Sequence, residues 1–157
     1  MTRRSRASRA RIMGTGMCAL LVVALSLTAE PAWALGTRSF AVPTESSALG
    51  GITKGPDGNL WFAEYLGDQI GRITPAGEIV EFPVPTSGGN PFWVANGPDG
   101  NLWFTEVSGN QIGRITPTGE VTEFPVITPS SSPLEITAGP DGNLWFTEAK
   151  AGRIGRI

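Results

Sequence analysis

Gly55-Pro56-Asp57-Gly58-Asn59-Leu60-Trp61-Phe62 recurs without a change as Gly97 to Phe104 and again as Gly139 to Phe146, so the 157-residue chain repeats itself every 42 residues. Working outward from it, Ile-Gly-Arg-Ile keeps the same step at Ile70, Ile112 and Ile154. Glu-Phe-Pro-Val stands at Glu81 and Glu123, with a faint echo upstream in Ser39-Phe40-Ala41-Val42. A strict period of about 40 to 45 residues with strand-like content has the length of one four-stranded propeller blade.

The second repeat shows why the unit is all-β. Trp93 to Asn96 reads as a short first strand. In the turn Gly97-Pro98-Asp99-Gly100, proline presets φ near −65° and Gly100 supplies the positive φ that closes a tight hairpin. Residues 101–106 follow as a second strand, apolar on both faces at Leu102, Trp103 and Phe104, as a strand sandwiched between neighbouring blades must be. Residues 111–116 read as the third strand. Residues 120–124 alternate in a way that suits an outer edge, where Pro125 is tolerated. No apolar 3.6-residue period of useful length follows Ala34, and glycine and proline recur every few residues, which excludes a helical repeat.

The spacing therefore predicts an all-β β-propeller of four-stranded blades, with repeats near residues 50–83, 92–125 and 134–157 and an N-terminal fourth-type strand at 38–43. About three blades are present. Propellers have four to eight, so the expectation is either part of a larger ring or association of copies, a homodimer if the chain is complete. The end after Gly155-Arg156-Ile157, where Thr-Pro-x-Gly-Glu follows in both earlier repeats, favours a fragment. In such an arc Trp103 is expected at the core, and Trp61 and Trp145 at the bare faces of the end blades.

Residues 1–34 read as a secretory signal peptide. Arg3, Arg4, Arg6, Arg9 and Arg11 precede an uncharged stretch from residue 12 to 29, densest between Cys18 and Leu27, and Ala32-Trp33-Ala34 offers the small-x-small pattern for cleavage after Ala34. The dense apolar part is too short to span a bilayer. Residues 35–157 hold seven basic and thirteen acidic side chains, a formal charge of −6, and no cysteine. That sign argues against nucleic acid and, once the leader is removed, against an anionic membrane surface. The expected location is secreted, with stability resting on packing rather than disulfides.

The blocks Gly-Pro-Asp-Gly-Asn-Leu-Trp-Phe-Thr-Glu, Ile-Gly-Arg-Ile-Thr-Pro and Gly-Glu-x-x-Glu-Phe-Pro-Val, over residues 40–157, together resemble the virginiamycin B lyase family, also called streptogramin lyases. The resemblance implies a seven-bladed propeller and, in the enzymes, magnesium-assisted opening of a cyclic depsipeptide antibiotic. There the ring ester breaks by elimination, a histidine removing the proton α to a carbonyl. This chain contains no histidine, and the family's histidines and metal-binding glutamates belong to later blades, so no catalytic residue carries over. Without histidine, no side chain is expected to titrate near pH 7 as the base. Two functions stay open: the N-terminal part of an exported lyase-type enzyme, inactive as given, or a noncatalytic extracellular binding or scaffold propeller.

Candidate sites divide into repeated and repeat-breaking positions. Glu64, Glu106 and Glu148 end the second strand of every repeat; a ring of carboxylates could hold a hard cation such as Mg²⁺, while identity across blades points to loop hydrogen bonding. Arg72, Arg114 and Arg156 are expected to pair with acidic neighbours such as Asp68 or with strand-end carbonyls. The positions that differ are Gly51, Trp93 and Glu135, at the start of the channel-lining first strand, and Tyr65, Val107 and Ala149 with Leu66, Ser108 and Lys150 in the loop after the second. Trp93, Glu135, Tyr65 and Lys150 are thus the candidate contacts for a small-molecule or peptide ligand, an apolar wall with one polar anchor; drift at tolerant loop positions is the structural alternative.

Overall fold

The computed structural model describes residues 36–157, and the proposed signal peptide lies outside them. Contacts divide the chain into Met1–Thr37, of which Gly36 and Thr37 are described as exposed irregular backbone, and the unit Arg38–Ile157. No helix among the described residues is long and apolar enough to cross a membrane.

The unit Arg38–Ile157 holds eleven strands in three antiparallel sheets, each following chain order. Blade 1 is β1 (Leu49–Lys54), β2 (Leu60–Glu64), β3 (Gln69–Ile73) and β4 (Ile79–Pro83). Blade 2 is β5 (Pro91–Asn96), β6 (Leu102–Glu106), β7 (Gln111–Ile115) and β8 (Val121–Pro125). Blade 3 is β9 (Pro133–Ala138), β10 (Leu144–Glu148) and β11 (Arg153–Arg156). Each repeat is one blade, as its spacing predicts, and the strands fall within two residues of their expected bounds.

The octapeptide works as an anchored turn. Gly58, Gly100 and Gly142 take φ of 81°, 75° and 78°. Asp57 accepts from the Asn59 N–H and Nδ2 and, at 3.0 Å, from the indole Nε1 of Trp61, so one carboxylate fixes both the turn and the ring four residues on. The other two repeats make the same bonds. In the Ile-Gly-Arg-Ile block glycine is dictated by its cross-strand partner: Gly71 pairs with Phe62 and Gly113 with Phe104, and a Cβ on either would lie about 2 Å from the ring.

Blades pack through a trailing face against the leading face of the next. Trp61, Ala63 and Ile70 of blade 1 meet Val94, Leu102, Phe104 and Ile115 of blade 2; Trp103 and Ile112 then meet Ile136, Leu144 and Phe146 of blade 3. β6, between two blades, is buried along its whole length. Trp61 is completely buried, contrary to its expected place on a bare face, because the tryptophan of each blade faces forward. The bare faces are the leading face of blade 1, where Ile52 is 61% exposed, and the trailing face of blade 3, where Ile154 is 65% exposed and Trp145 half-buried.

Residues 38–43 are not a strand. No third strand from a preceding blade lies beside them among the described residues, so they lack a ladder to join. They nevertheless hold a fourth-strand place. Phe40 sits against Gly77 as Phe82, 42 residues later, sits against Gly119. Thr44 donates through its N–H and hydroxyl to Glu81, as Thr86 does to Glu123, and Gln69 and Gln111 donate in turn to those hydroxyls.

Candidate functional site

The first strands β1, β5 and β9 pack side by side as the inner wall of the arc. Gly51, Trp93 and Glu135 occupy equivalent places on them, and the structure gives the substitution pattern a physical meaning. A Cβ at Gly51 would lie 3.0 Å from the Trp93 ring, so the missing side chain on one blade makes room for the indole of the next. Trp93 keeps 37% of its surface exposed and Glu135 is exposed beside it on β9. Both backbones are pinned: the Trp93 N–H donates to the Thr105 hydroxyl at 3.2 Å, which donates onward to the Leu134 carbonyl at 2.6 Å, and the Glu135 N–H donates to Thr147.

Trp93 and Glu135 line one concavity of about 520 Å³. The wall is completed by Ile52, Thr53, Val94, Ala95, Ile136 and Thr137 of the inner strands and by Trp145, Thr147 and Ile154 of blade 3. The inner-strand residues next to the singled-out positions were missed in the sequence, although Thr53, Ala95 and Thr137 also break the repeat. Trp145 was expected on a bare face and Ile154 was not singled out; neither was assigned to this wall in the sequence, because both are repeated residues. The chemistry is an aromatic and aliphatic surface with one carboxylate, suited to an apolar ligand carrying a donor or a positive charge.

Tyr65 and Lys150 are not brought to this wall. Tyr65 meets Phe92 edge-on at 6.1 Å and its carbonyl accepts from Asn90, which ties it into the joint between blades 1 and 2. Lys150 is exposed, its N–H donating to the Ser131 carbonyl.

Glu64, Glu106 and Glu148 are buried, one at the end of the second strand of each blade. Among the described residues no three His, Cys, Asp or Glu side chains assemble into a group able to hold a metal. These residues do not fit a magnesium site. The Glu64 side chain sits beside Ser47 and the Glu81 carboxylate, and that of Glu106 beside the Glu123 carboxylate; the main-chain carbonyls of Glu64 and Glu148 accept the loop N–H groups of Gly67 and Ala151. Burial pushes the Glu64 carboxyl up to about 7, with the Glu81 carboxylate adding to it. Glu106 is pushed up to about 8 by burial first and then by Glu123 and Asp68. A proton kept on each supplies a donor to turn toward the second carboxylate, the economical way to bury an acid pair. Two groups thus titrate near neutrality despite the absence of histidine, against expectation, but both are sealed inside blades and away from the concavity.

Arg72 and Arg156 pair with acidic neighbours as expected, though with the turn aspartates rather than Asp68. Arg72 lies 3.8 Å from Asp57, sandwiched between the Trp61 and Phe82 rings, and reaches the Pro117 carbonyl of the next blade at 3.1 Å. Arg156 faces Asp141 and Trp145 likewise. Asp68 is taken by the N–H groups of Gly88 and Asn90.

Known proteins share both this blade geometry and its sequence. The model of the virginiamycin B lyase family matches residues 34–157. A catalytically inactive virginiamycin B lyase from Staphylococcus aureus, a histidine-to-alanine variant crystallised with quinupristin, is 49% identical over 74% of this chain with a TM-score of 0.73; the match spans 40% of that protein's length. A streptogramin B lyase structure is 39% identical over 75% of this chain and 43% of its own, TM-score 0.68. Virginiamycin B lyase of Bordetella pertussis strain Tohama I is 46% identical over 44 residues, 28% of this chain and 15% of that protein. Matched from residue 34 to its last residue, the chain belongs to the virginiamycin B lyase family.

Proposed function

We propose that this chain is the N-terminal part of an exported lyase-type propeller that opens the lactone of a cyclic depsipeptide by carbon–oxygen elimination. Its own blades would supply part of the ligand wall and none of the proton chemistry. The observation that carries this is the pairing of Trp93 with Glu135 on adjacent inner strands of a concavity, in a chain of this family. In such an elimination a base takes the proton α to a carbonyl, a carbon–carbon double bond forms, and the bond to the ester oxygen breaks with its electron pair leaving on the carboxylate. For the first step this chain has no histidine, and Glu64 and Glu106, which titrate in range, are inaccessible. The base, and the magnesium that the resemblance implies, are assigned to residues outside this chain.

The role left for Trp93 is to stack against a planar or aliphatic part of the ligand, and for Glu135 to anchor a donor at its rim. Export through residues 1–34 places this wall outside the cell, where such antibiotics are met. The test is a fluorescence titration with an intact streptogramin B antibiotic. Weak binding is expected, lost with Trp93→Ala and reduced with Glu135→Gln. Binding untouched by both changes, or none at all, contradicts this assignment.

A further inference from the structure

The residues that break the repeat on the inner wall share one backbone device. In each blade the first strand bulges against the second, so that two residues of the first oppose one of the second. Gly50 and Gly51 fall between the pairs Leu49 with Glu64 and Ile52 with Phe62, opposite Ala63. Phe92 and Trp93 fall between Pro91 with Glu106 and Val94 with Phe104, opposite Thr105. Leu134 and Glu135 fall between Pro133 with Glu148 and Ile136 with Phe146, opposite Thr147. A bulge re-aims side chains and takes backbone groups out of the ladder, and buried groups so freed need other partners. Thr105 is completely buried, and its hydroxyl serves two bulges at once: it accepts the Trp93 N–H at 3.2 Å and donates to the Leu134 carbonyl at 2.6 Å. In blade 1 the same place is Ala63, without a hydroxyl, and the bulge it faces carries two glycines and no side chain to aim.

We propose that Thr105 is a positioning residue for the ligand wall: its hydroxyl ties the bulge that carries Trp93 to the bulge that carries Glu135, and so sets the spacing between indole and carboxylate. This rests on the reading of those two side chains as the ligand contacts. The link is short at both ends. On one side it holds the amide of Trp93 itself. On the other it holds the carbonyl of the peptide unit that joins Leu134 to Glu135, whose N–H is held in turn by the Thr147 hydroxyl at 3.1 Å. Both poles of that peptide are thereby fixed, and with them the direction in which Glu135 leaves the strand. Phe92, the other half of the blade 2 bulge, is braced separately, edge-on to the Tyr65 ring at 6.1 Å. The indole of Trp93 lies over the bare backbone of Gly51, so blade 1 offers it no side chain that could replace the restraint.

The test compares the full chain with Thr105→Val, which keeps the volume without the hydroxyl, Thr105→Ala, which copies blade 1, and Thr105→Ser, which keeps the hydroxyl. The first readout needs no ligand: acrylamide quenching of Trp93 fluorescence, taken as the difference between each chain and its Trp93→Phe counterpart. Quenching is expected to rise in the valine and alanine variants and to stay at the parent value in Thr105→Ser and in Thr147→Val. The second readout is titration with an intact streptogramin B antibiotic, where Thr105→Val and Thr105→Ala should weaken binding about tenfold, the order of one hydrogen bond, and Thr105→Ser should not. Quenching that does not rise in the two variants without the hydroxyl, an equal rise in Thr105→Ser or Thr147→Val, an affinity indifferent to the hydroxyl, or loss of the fold in both Thr105→Val and Thr105→Ala each overturns the proposal. A parent chain that binds no antibiotic defeats the proposed function instead, and the quenching comparison then decides by itself whether Thr105 holds Trp93 in place.

Discussion

At Gly113 a methyl group decides whether a blade can close. The ring of its cross-strand partner Phe104 occupies the space where a Cβ would stand, and Phe104 is itself fully buried between blades. Gly113→Ala is therefore expected to cost about 1 to 3 kcal/mol of stability through overpacking, read as a lower urea midpoint. Gly36→Ala, with nothing near its Cβ, serves as the neutral comparison. The buried acids give a second residue-scale outcome. A carboxyl raised in the folded state is favoured while protonated, so the stability it brings is full below its unfolded value of 4.5 and is lost as pH rises through the folded one. For Glu106 that window runs from 4.5 to about 8, for Glu64 from 4.5 to about 7. The melting temperature should fall across this range, and Glu106→Gln should flatten the fall; a slope unchanged in that variant contradicts the burial argument. The turn glycines were legible in the octapeptide because positive φ has few other solutions. The indole-to-Asp57 bond and the ring over Gly71 were not, since they join residues by side-chain direction rather than by spacing.

Between elements, the forward-facing tryptophans carry each blade onto the next. Trp61→Ala and Trp103→Ala should each cost about 3 to 5 kcal/mol, the range for emptying a large core site, and Trp145→Ala distinctly less. Chemical denaturation of the three variants checks this; equal losses would mean that blade 3 does not bare its trailing face. A second seam is polar. Thr86 donates through its N–H and its hydroxyl to Glu123 and accepts at the hydroxyl from Gln111, so one residue from the loop after β4 holds the outer strand of the following blade. Thr86→Val leaves the part-buried carboxylate short of a donor and should cost about 1 to 3 kcal/mol, again by urea unfolding. The strands were readable from apolar pattern and turn chemistry. The Thr44 and Thr86 latch was not: Thr44, Thr86 and Thr128 keep the 42-residue step, but the step alone does not show that the side chain reaches a glutamate 37 residues on. The failure of residues 38–43 to form a strand has a similar origin: their sequence echoes a fourth strand, but a strand needs a ladder partner, and partnership belongs to the neighbouring blade.

For the molecule as a whole, an exact repeat made the architecture the most legible level and the site the least. Identical blades announce how the chain packs, and the same identity hides chemistry, which shows most clearly where the repeat breaks, at Gly51, Trp93 and Glu135. Sequence found those three because they differ at one register. It placed Tyr65 and Lys150 with them on difference alone, whereas Tyr65 packs on Phe92 at the joint of blades 1 and 2 and Lys150 is exposed in the loop after β10, neither in the lining of the concavity. It also took the absence of histidine to mean the absence of any group titrating near neutrality, whereas burial creates two such groups and then seals them in. On the proposed function, these blades hold ligand without the means to take its proton. Incubating the purified chain with a streptogramin B antibiotic and Mg²⁺, then following the lactone by liquid chromatography with fragmentation mass spectrometry, tests this most directly, since an eliminated product keeps the mass of the substrate and is told apart by retention and fragments. An intact ring is expected across the whole neutral range of pH; a linear product that accumulates with time and disappears in Glu106→Gln or Glu135→Gln would contradict it.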